Sequence, residues 1–247
     1  MKNLKTRKLR CLILLSLSLF CTTFSPSNAF PQSPNDTELY PVRVNGKEGY
    51  IDATGRIVIK PQFDDATFFS EGLAHVHIGN TSGFIDKTGR FVINTQFDKV
   101  CGFSEGFARV GKKKSNNDVQ IDKWGYIDKT GKIVINLQFD LADDFSEGLA
   151  AVLIGDLFTS GRWGYIDKTG TYVINPQFNS AFDFHEGLAS VSYGAYSNDD
   201  YGNKKGKFID KTGRDFFNTQ FSSTDSFSEG LAHIYYPKFN IEVRKNR

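Results

Sequence analysis

The sequence predicts an all-β protein, a repeat array of five three-stranded antiparallel meanders. The main observation is a motif that occurs five times, with opening aromatic residues at Tyr50, Phe84, Tyr126, Tyr165 and Phe208. In every copy, the Gln of a Gln-Phe pair follows the opening residue by 12 positions and the Glu of a Glu-Gly pair follows it by 21. The distance from that Glu to the next copy varies between 13 and 22 residues. A fixed unit joined by variable loops is typical of repeat proteins, in which each unit buries apolar surface against its neighbours.

The third copy shows the predicted elements in order. Residues 124–128 form a short strand, and residues 128–131 form a tight turn, because Asp accepts hydrogen bonds from nearby amides and Gly tolerates positive φ. Residues 133–135 are β-branched and predict a second strand. Residues 149–152 predict a third strand, which leads through a variable loop to the next copy. We therefore expect each meander to contain a Leu-Ala strand, a Tyr-Ile-Asp strand and an Ile-Val-Ile strand.

The array is expected to begin with the strand at 40–44 and to end with a degenerate hairpin arm at 239–243. The Ile-Val-Ile strands, such as 57–59, are apolar at consecutive positions, which predicts that both sheet faces are covered. Asp215 breaks this pattern in the fifth copy, as expected of a terminal repeat that faces solvent. We expect an open, β-solenoid-like stack of meanders, with propeller-like closure as the alternative.

The first 29 residues have the three parts of a signal peptide. Five basic residues precede an apolar segment at 11–20, and Ser27-Asn28-Ala29 provides the small residues of a cleavage site. The apolar segment is shorter than a membrane-spanning helix, and no later segment is long or apolar enough to span. We therefore predict a signal peptide at 1–29, a short linker at 30–38 and the β repeat domain at 39–247. The mature chain is expected in the periplasm, at the cell surface or outside the cell.

Cleavage changes the charge balance. The five charges of the signal peptide are all basic, so 25 Lys and Arg remain against 28 Asp and Glu, a net charge of −3. The basic balance of the full chain therefore belongs to the export signal, and we predict no nucleic-acid partner. Cys101 is the one cysteine of the mature chain, so internal disulfides are excluded. No catalytic partner signature surrounds it, and we predict an ordinary loop or half-buried thiol.

The repeated motif resembles that of the bacterial WG-repeat, or KWG-repeat, family, which is approximately Lys-Trp-Gly-Tyr-Ile-Asp-Lys-Thr-Gly. Residues 123–131 match it throughout, and residues 162–170 match it with Arg162 in place of the Lys. The other copies carry Glu48, Ser82 and Gly206 where the Trp would be. The resemblance implies an all-β repeat domain, often exported, and it implies no catalytic or cofactor residues.

The repeated carboxylates are predicted to be structural. The Asp of each copy lies at the same turn, where it can cap backbone amides. The Glu beside each Gly is expected to bind backbone amides or a Lys of a neighbouring turn. Glycoside hydrolysis uses two distinguished carboxylates, not ten interchangeable ones, so we predict no catalytic site among them. These residues are Asp52, Asp86, Asp128, Asp167 and Asp210, with Glu71, Glu105, Glu147, Glu186 and Glu229.

The four histidines are candidates because they break the repeat pattern, although His185 replaces the Ser of Ser-Glu-Gly and is interpreted as a tolerated substitution. His75 and His77 lie two apart on a predicted strand and face the same side, which permits metal chelation. His233 occupies the repeat position of His75. No Cys or third His joins the pair in sequence, so we predict neither a metal site nor a cofactor. An envelope hydrolase or metal-dependent enzyme that uses these histidines is the alternative from another functional class.

The loops that join the Leu-Ala strand to the next Tyr-Ile-Asp strand carry the individual character of the chain. They connect the same two strands in every copy, so we expect them to project from one edge. Tyr among Gly, Ser and Asn is the composition of adaptable recognition loops. We therefore predict a non-enzymatic, exported module that binds a protein or glycan partner in the cell envelope. A purely structural surface protein is a second alternative. The predicted binding residues are Trp124, Arg162, Trp163, Tyr193, Tyr196 and Tyr201.

Overall fold

The computed structural model describes residues 38–79, 81–95, 97–113, 123–157, 160–193, 205–217, 221, 223–224, 228–236 and 239–244. The predicted signal peptide, residues 30–37 of the predicted linker, and Tyr196 and Tyr201 lie outside the described residues. In these ranges the chain forms twenty-one strands and no helix, hence no helix with the length and apolar character needed to cross a membrane. The chain divides into two compact units. One contains the described residues up to Gly102 with Lys112 and Lys113, and the other contains Phe103–Gly111 and those from Lys123 onward.

The first unit contains two antiparallel sheets, each with its strands in chain order. The sheets consist of β1 (Tyr40–Val44), β2 (Lys47–Ile51) and β3 (Ile57–Phe63), and of β4 (Asp65–Ala66), β5 (Ala74–Ile78), β6 (Thr81–Ile85) and β7 (Phe91–Thr95). The boundary between the units falls within the next strand, β8 (Lys99–Ser104).

The second unit continues the same arrangement. It contains β9 (Phe107–Lys112), β10 (Lys123–Asp128) and β11 (Ile133–Phe139); then β12 (Leu141–Ala142), β13 (Ala150–Ile154), β14 (Arg162–Ile166) and β15 (Tyr172–Phe178); then β16 (Ser180–Ala181), β17 (Leu188–Tyr193) and β18 (Lys205–Asp210); and finally β19 (Ser223–Thr224), β20 (Leu231–Tyr236) and β21 (Phe239–Arg244).

The predicted meander is confirmed. Tyr165 on β14 pairs with Ala151 of the Leu-Ala strand on one side and with Ile174 of the Ile-Val-Ile strand on the other. The structure adds a two-residue strand that the sequence did not predict, because the connector after Gln-Phe runs along the free side of the Leu-Ala strand. In the fourth sheet, Asp140 N–H donates to Leu153 O at 3.0 Å, and Asp143 N–H donates to Ala151 O at 2.9 Å.

The Gly of the Trp-Gly pair is required by a bulge in the neighbouring strand. Trp163 pairs with Phe178, but Tyr165 pairs with Ile174, so three residues of β15 lie opposite Gly164 alone. A Cβ at Gly164 would lie 2.6 Å from Ile174 O, closer than side chains approach a backbone oxygen. The fifth copy has Lys207 at this position, and there the described residues after the turn form an isolated bridge between Ile209 and Asp215 instead of a strand.

In each of the copies that open with Tyr, the core is built around that opening tyrosine. Tyr165 is fully buried, its ring lies 4.9 Å from the Phe184 ring, and its hydroxyl donates to Phe182 O at 2.7 Å. Tyr50 and Tyr126 donate to the equivalent carbonyl 17 residues along the chain. A buried hydroxyl keeps a hydrogen-bond partner in this way, so the large aromatic side chain is buried without an unsatisfied donor.

The prediction that both faces of the Ile-Val-Ile strands are covered is wrong. Ile57 and Val58 are 51% and 42% exposed, and only Ile59 of the three is buried. Ile59 is covered because the turn of the next copy lies against it, with its Cγ2 atom 3.1 Å from the position of a Cβ at Gly89. The first two residues of the strand lie beyond this contact. The same exposure recurs at Phe91, Val92, Ile133, Val134, Val173 and Phe216.

Candidate functional site

The repeated aspartate closes the turn after each Tyr-Ile-Asp strand. Asp128 Oδ1 accepts hydrogen bonds from Thr130 N–H at 2.8 Å, Thr130 Oγ1 at 2.6 Å and Lys132 N–H at 3.1 Å. The Thr130 hydroxyl is the main cause that holds the pKa of Asp128 below its usual value. The predicted capping role is confirmed, and the carboxylate is used within its own turn. The same bonds recur at Asp52, Asp86, Asp167 and Asp210.

The repeated glutamate joins one copy to the next. Glu147 has a left-handed φ of 53° in a two-residue hairpin turn. Its Oε2 accepts the N–H of Gly187 in the next copy at 2.8 Å and lies 3.1 Å from Lys211 Nζ. Burial alone would raise the pKa of Glu147, but Lys211 and the Gly187 N–H hold it below the usual value. The predicted pairing is confirmed. Glu105 binds Gly148 and Lys168 in the same way, and Glu186 binds Gly230.

The two tryptophans of the predicted binding set lie in the core. Trp124 is 2% exposed and pairs with Phe139, and Trp163 is 8% exposed and pairs with Phe178. They leave almost no surface for a partner. Their role in the structure is to support the strand ends next to the variable loops.

A buried ion cluster lies beside Trp124, and the sequence did not predict it. Arg109 is 4% exposed, its Nε lies 2.7 Å from Asp144 Oδ1, and its Nη1 lies 3.3 Å from Asp143 Oδ1. The guanidinium carbon lies 5.9 Å from the centre of the Trp124 ring. The signal in the sequence was a single Arg at a repeat position held elsewhere by smaller or neutral side chains. Because the charges are paired and enclosed, we assign the cluster to packing.

The variable loops are held at their bases by the residue that follows Gln-Phe. Asp140 Oδ2 accepts the N–H of Gly155, the first residue after β13, at 2.8 Å. Its Oδ1 lies 2.7 Å from Lys123 Nζ at the start of β10. One carboxylate therefore joins the start of one variable loop to the end of the preceding one. We call the set of loops β9–β10, β13–β14 and β17–β18 the loop edge.

Asp64 makes the same contacts in the first unit. It accepts the Gly79 N–H at 2.7 Å and forms an ion pair with Lys47. Asp98 accepts the Lys113 N–H at 2.9 Å. The aspartate after Gln-Phe is therefore a repeated anchor of the variable loops.

The fourth copy departs from this arrangement at Arg162. Arg162 holds the position of Lys123, but the residue opposite it is Asn179, which is 9% exposed and carries no charge. Arg162 is half-buried, and its Nη1 donates to Gly161 O at 2.8 Å. Among the residues that the structure describes, no carboxylate forms an ion pair with Arg162.

Tyr193 lies where the β17–β18 loop begins. Its ring is 5.2 Å from the Phe178 ring, and Lys207 Nζ lies 5.3 Å from its centre. Lys207 also forms an ion pair with Asp215. Burial and the Asp215 carboxylate raise the pKa of the Tyr193 hydroxyl. Tyr193 is therefore half-buried and contributes to packing. As the last residue of β17, it adjoins the β17–β18 loop of the loop edge.

The histidine pair of the first unit lies on one side of β5, as predicted. His75 Nε2 is 2.7 Å from Ser82 Oγ, and its ring lies 5.6 Å from the Phe84 ring. Burial is the main cause that lowers the pKa of His75 to about 4. No group of three or more His, Cys, Asp or Glu side chains suited to a metal occurs in the described ranges. The side chain of His233 lies outside what the structure describes.

The WG-containing repeat model matches residues 49–81, 83–114, 124–158 and 163–195, together more than half of the chain. The chain belongs to the WG-containing repeat family. The matched segments cover the motif in the first four copies. No curated protein matches the chain.

The chain is also similar to parts of larger solved structures. These are a eukaryotic initiation factor (12% identity, TM-score 0.47, 74% of this chain and 51% of that chain), puromycin hydrolase (11%, 0.38, 76% and 37%) and the tricorn protease (12%, 0.32, 82% and 24%). The chain spans about half or less of the length of these proteins. At these TM-scores, the similarity supports no conclusion about fold or activity.

Proposed function

We propose that this WG-repeat chain is an exported, non-enzymatic module that binds a protein or glycan partner in the cell envelope through its loop edge. The observation that carries the proposal is the use of the repeated polar side chains. Asp128 and its equivalents cap their own turns, and Glu147 and its equivalents hold neighbouring copies together. The repeated residues are thus explained by architecture. The residues that vary between copies gather in loops that connect the same two strands.

The charges at the loop edge support the same proposal. Lys123 and Lys207 are neutralised by Asp140 and Asp215, so the bases of the loops are fixed. Arg162, at the position of Lys123 in the fourth copy, has no carboxylate partner among the described residues. Arg and Tyr are enriched among the residues that dominate binding at protein interfaces. Variable loops on a fixed base, with Arg162 and Tyr193 at the strand ends that flank them, are the arrangement of a recognition surface.

Partner capture tests the proposal. Mature protein, purified from the envelope and expected to begin at Phe30, is used as bait in envelope extract. Tyr196→Ser with Tyr201→Ser should abolish capture and leave the melting temperature nearly unchanged. Tyr193 is excluded from this variant because its ring packs on Phe178. Phe68→Ser, at an exposed aromatic residue between β4 and β5, is the control and should keep capture.

Capture that survives the double change at wild-type strength would refute the assignment to these loops. If the wild-type protein captures nothing, the purely structural role is favoured. Metal bound by the purified protein at a stoichiometric level, with activity that depends on His75, would favour the enzyme alternative.

A further inference from the structure

The fourth copy leaves an arginine without its internal counter-charge at the loop edge. In the antiparallel pairing, Lys123 lies opposite Asp140, one step beyond the Trp124 and Phe139 pair. By the same pairing, Arg162 lies opposite Asn179, one step beyond the Trp163 and Phe178 pair. The same cross-strand pairing therefore places Lys123 opposite a carboxylate in the third copy and Arg162 opposite a neutral amide in the fourth.

The backbone pairing at this position is the same in both copies. Asn179 keeps the backbone role of the position, since its N–H donates to Ser192 O at 2.8 Å as the Asp140 N–H donates to Leu153 O. Gly161 O accepts one N–H of Arg162 and holds the side chain at the end of the loop. A guanidinium has five N–H donors in a planar fork, so one such bond leaves the fork available to a planar anion.

We propose that Arg162 binds an acidic side chain, Asp or Glu, of a protein partner at the loop edge. The inference rests on the proposed function and names the chemistry of the partner. A carboxylate matches the guanidinium fork with two parallel charge-assisted hydrogen bonds.

A single acidic side chain fits this edge better than a polyanion. Binding of nucleic acid or an acidic polysaccharide depends on several cations that contact successive charges. Of the lysines at the equivalent position, Lys47 pairs with Asp64 and Lys123 pairs with Asp140. The side chain of Lys205, at this position in the fifth copy, lies outside what the structure describes. Lys207 is paired with Asp215. Because a single guanidinium, that of Arg162, lacks a carboxylate partner among these described side chains, a single carboxylate is the expected ligand.

The test is a titration of mature protein followed through the Nε–Hε resonance of Arg162, which is assigned from its absence in Arg162→Lys. The probe is acetyl-Gly-Glu-Glu-Gly-amide, and acetyl-Gly-Gln-Gln-Gly-amide is the neutral control. The Glu peptide should give a saturable shift, and the Gln peptide should bind at least about tenfold more weakly.

Two variants exchange the charges of the third and fourth copies. Asn179→Asp should supply the missing counter-charge and weaken the response of Arg162 at least about tenfold. Asp140→Asn keeps an oxygen for the Gly155 N–H but frees Lys123, so it should raise the number of Glu peptides bound per chain, measured by isothermal titration calorimetry, from one to two. Far-UV circular dichroism checks that both variants are folded. If Asn179→Asp does not fold, Asp140→Asn and the two peptides still decide the result.

Equal affinity of wild-type protein and folded Asn179→Asp for the Glu peptide would overturn the inference. So would a response of Arg162 that appears only after Asp199 and Asp200 are changed to Asn, because a carboxylate of the chain itself would then occupy the fork. Trigalacturonate that binds at least tenfold more tightly than the peptide would assign the site to an acidic glycan instead. The titration is independent of partner capture, so capture that fails refutes the proposed function without altering the measured response of Arg162.

Discussion

Replacing Gly164 by Ala adds a single methyl group at a position where the fold has no room for it. The added Cβ would lie 2.6 Å from Ile174 O, 2.7 Å from Pro176 N and 2.9 Å from Asn175 C. All three atoms belong to the backbone of β15, so no side-chain rotation relieves the contact. The strand would have to move away from β14 by nearly an ångström, which would disturb the ladder on both sides of the bulge.

The expected cost can be worked out from these contacts. Overpacking of this kind costs about 1–3 kcal/mol, and each backbone hydrogen bond weakened by the shift adds about 1 kcal/mol. The lower chain entropy of Ala in the unfolded state offsets about 0.5–1 kcal/mol. With one hydrogen bond weakened, these contributions sum to about 1–3.5 kcal/mol. We therefore expect Gly164→Ala to lower the free energy of unfolding by about 2 kcal/mol, or the melting temperature by about 4–8 °C.

Urea denaturation followed by tryptophan fluorescence measures this loss, because Trp163 adjoins the substituted position. Gly102→Ala is the matched control. The atom nearest to a Cβ there is 3.9 Å away, in Ser70, so its free energy of unfolding should stay within about 0.5 kcal/mol of wild type. If Gly164→Ala is as stable as Gly102→Ala, a side chain is tolerated opposite the bulge and our account of the Trp-Gly pair is wrong.

The repeat architecture was predictable because turns and spacing are local properties. Asp128, Gly131 and the Glu147-Gly148 pair have strong backbone preferences, and their fixed distances showed which strands are neighbours. The structure confirms the meander and the roles of both carboxylates. The short strand β12 was missed because residues 140–143 contain no strand pattern, and they pair only by following β13.

The burial of the Ile-Val-Ile strands was not predictable from their apolar character. Ile133 is 41% exposed although its sequence reads as a buried strand, because the turn of the next copy covers Ile135 alone. Consecutive apolar residues predict two covered faces only when neighbouring sheets cover the whole strand. Here the contact between copies is narrower than the strand.

The charge exchange at the loop edge was present in the sequence but could not be interpreted there. The residue after Gln-Phe is Asp in the first three copies and Asn179 in the fourth, and Arg162 was already among the predicted binding residues. The bulge opposite Gly164 inserts two extra residues into the pairing, so the cross-strand partner of Arg162 cannot be counted from the turn. Only the observed register places Arg162 opposite Asn179.

Substitutions at Glu147 and at His75 test the contacts between copies and the burial of the histidine. Glu147→Ala removes the acceptor of the Gly187 N–H but keeps the left-handed backbone, so it should lower the free energy of unfolding by about 2 kcal/mol. Glycine adopts that φ without strain, so Glu147→Gly should lose about 1 kcal/mol less than Glu147→Ala. Equal losses would show that the left-handed φ causes no strain at this position. His75 has a pKa of about 4 in the fold and about 6.5 when unfolded, so the unfolded chain binds more protons between these values. Stability due to the neutral ring is therefore complete above about pH 6.5 and is lost as the pH falls towards 4. Between pH 7.5 and 4.5, wild-type protein should lose about 2 kcal/mol more than His75→Gln in urea denaturation, since one pKa unit corresponds to about 1.4 kcal/mol. The same substitution at the exposed His185 is the control for the change of residue type. Parallel pH profiles of wild-type protein and His75→Gln would show that the His75 ring is not held neutral by burial.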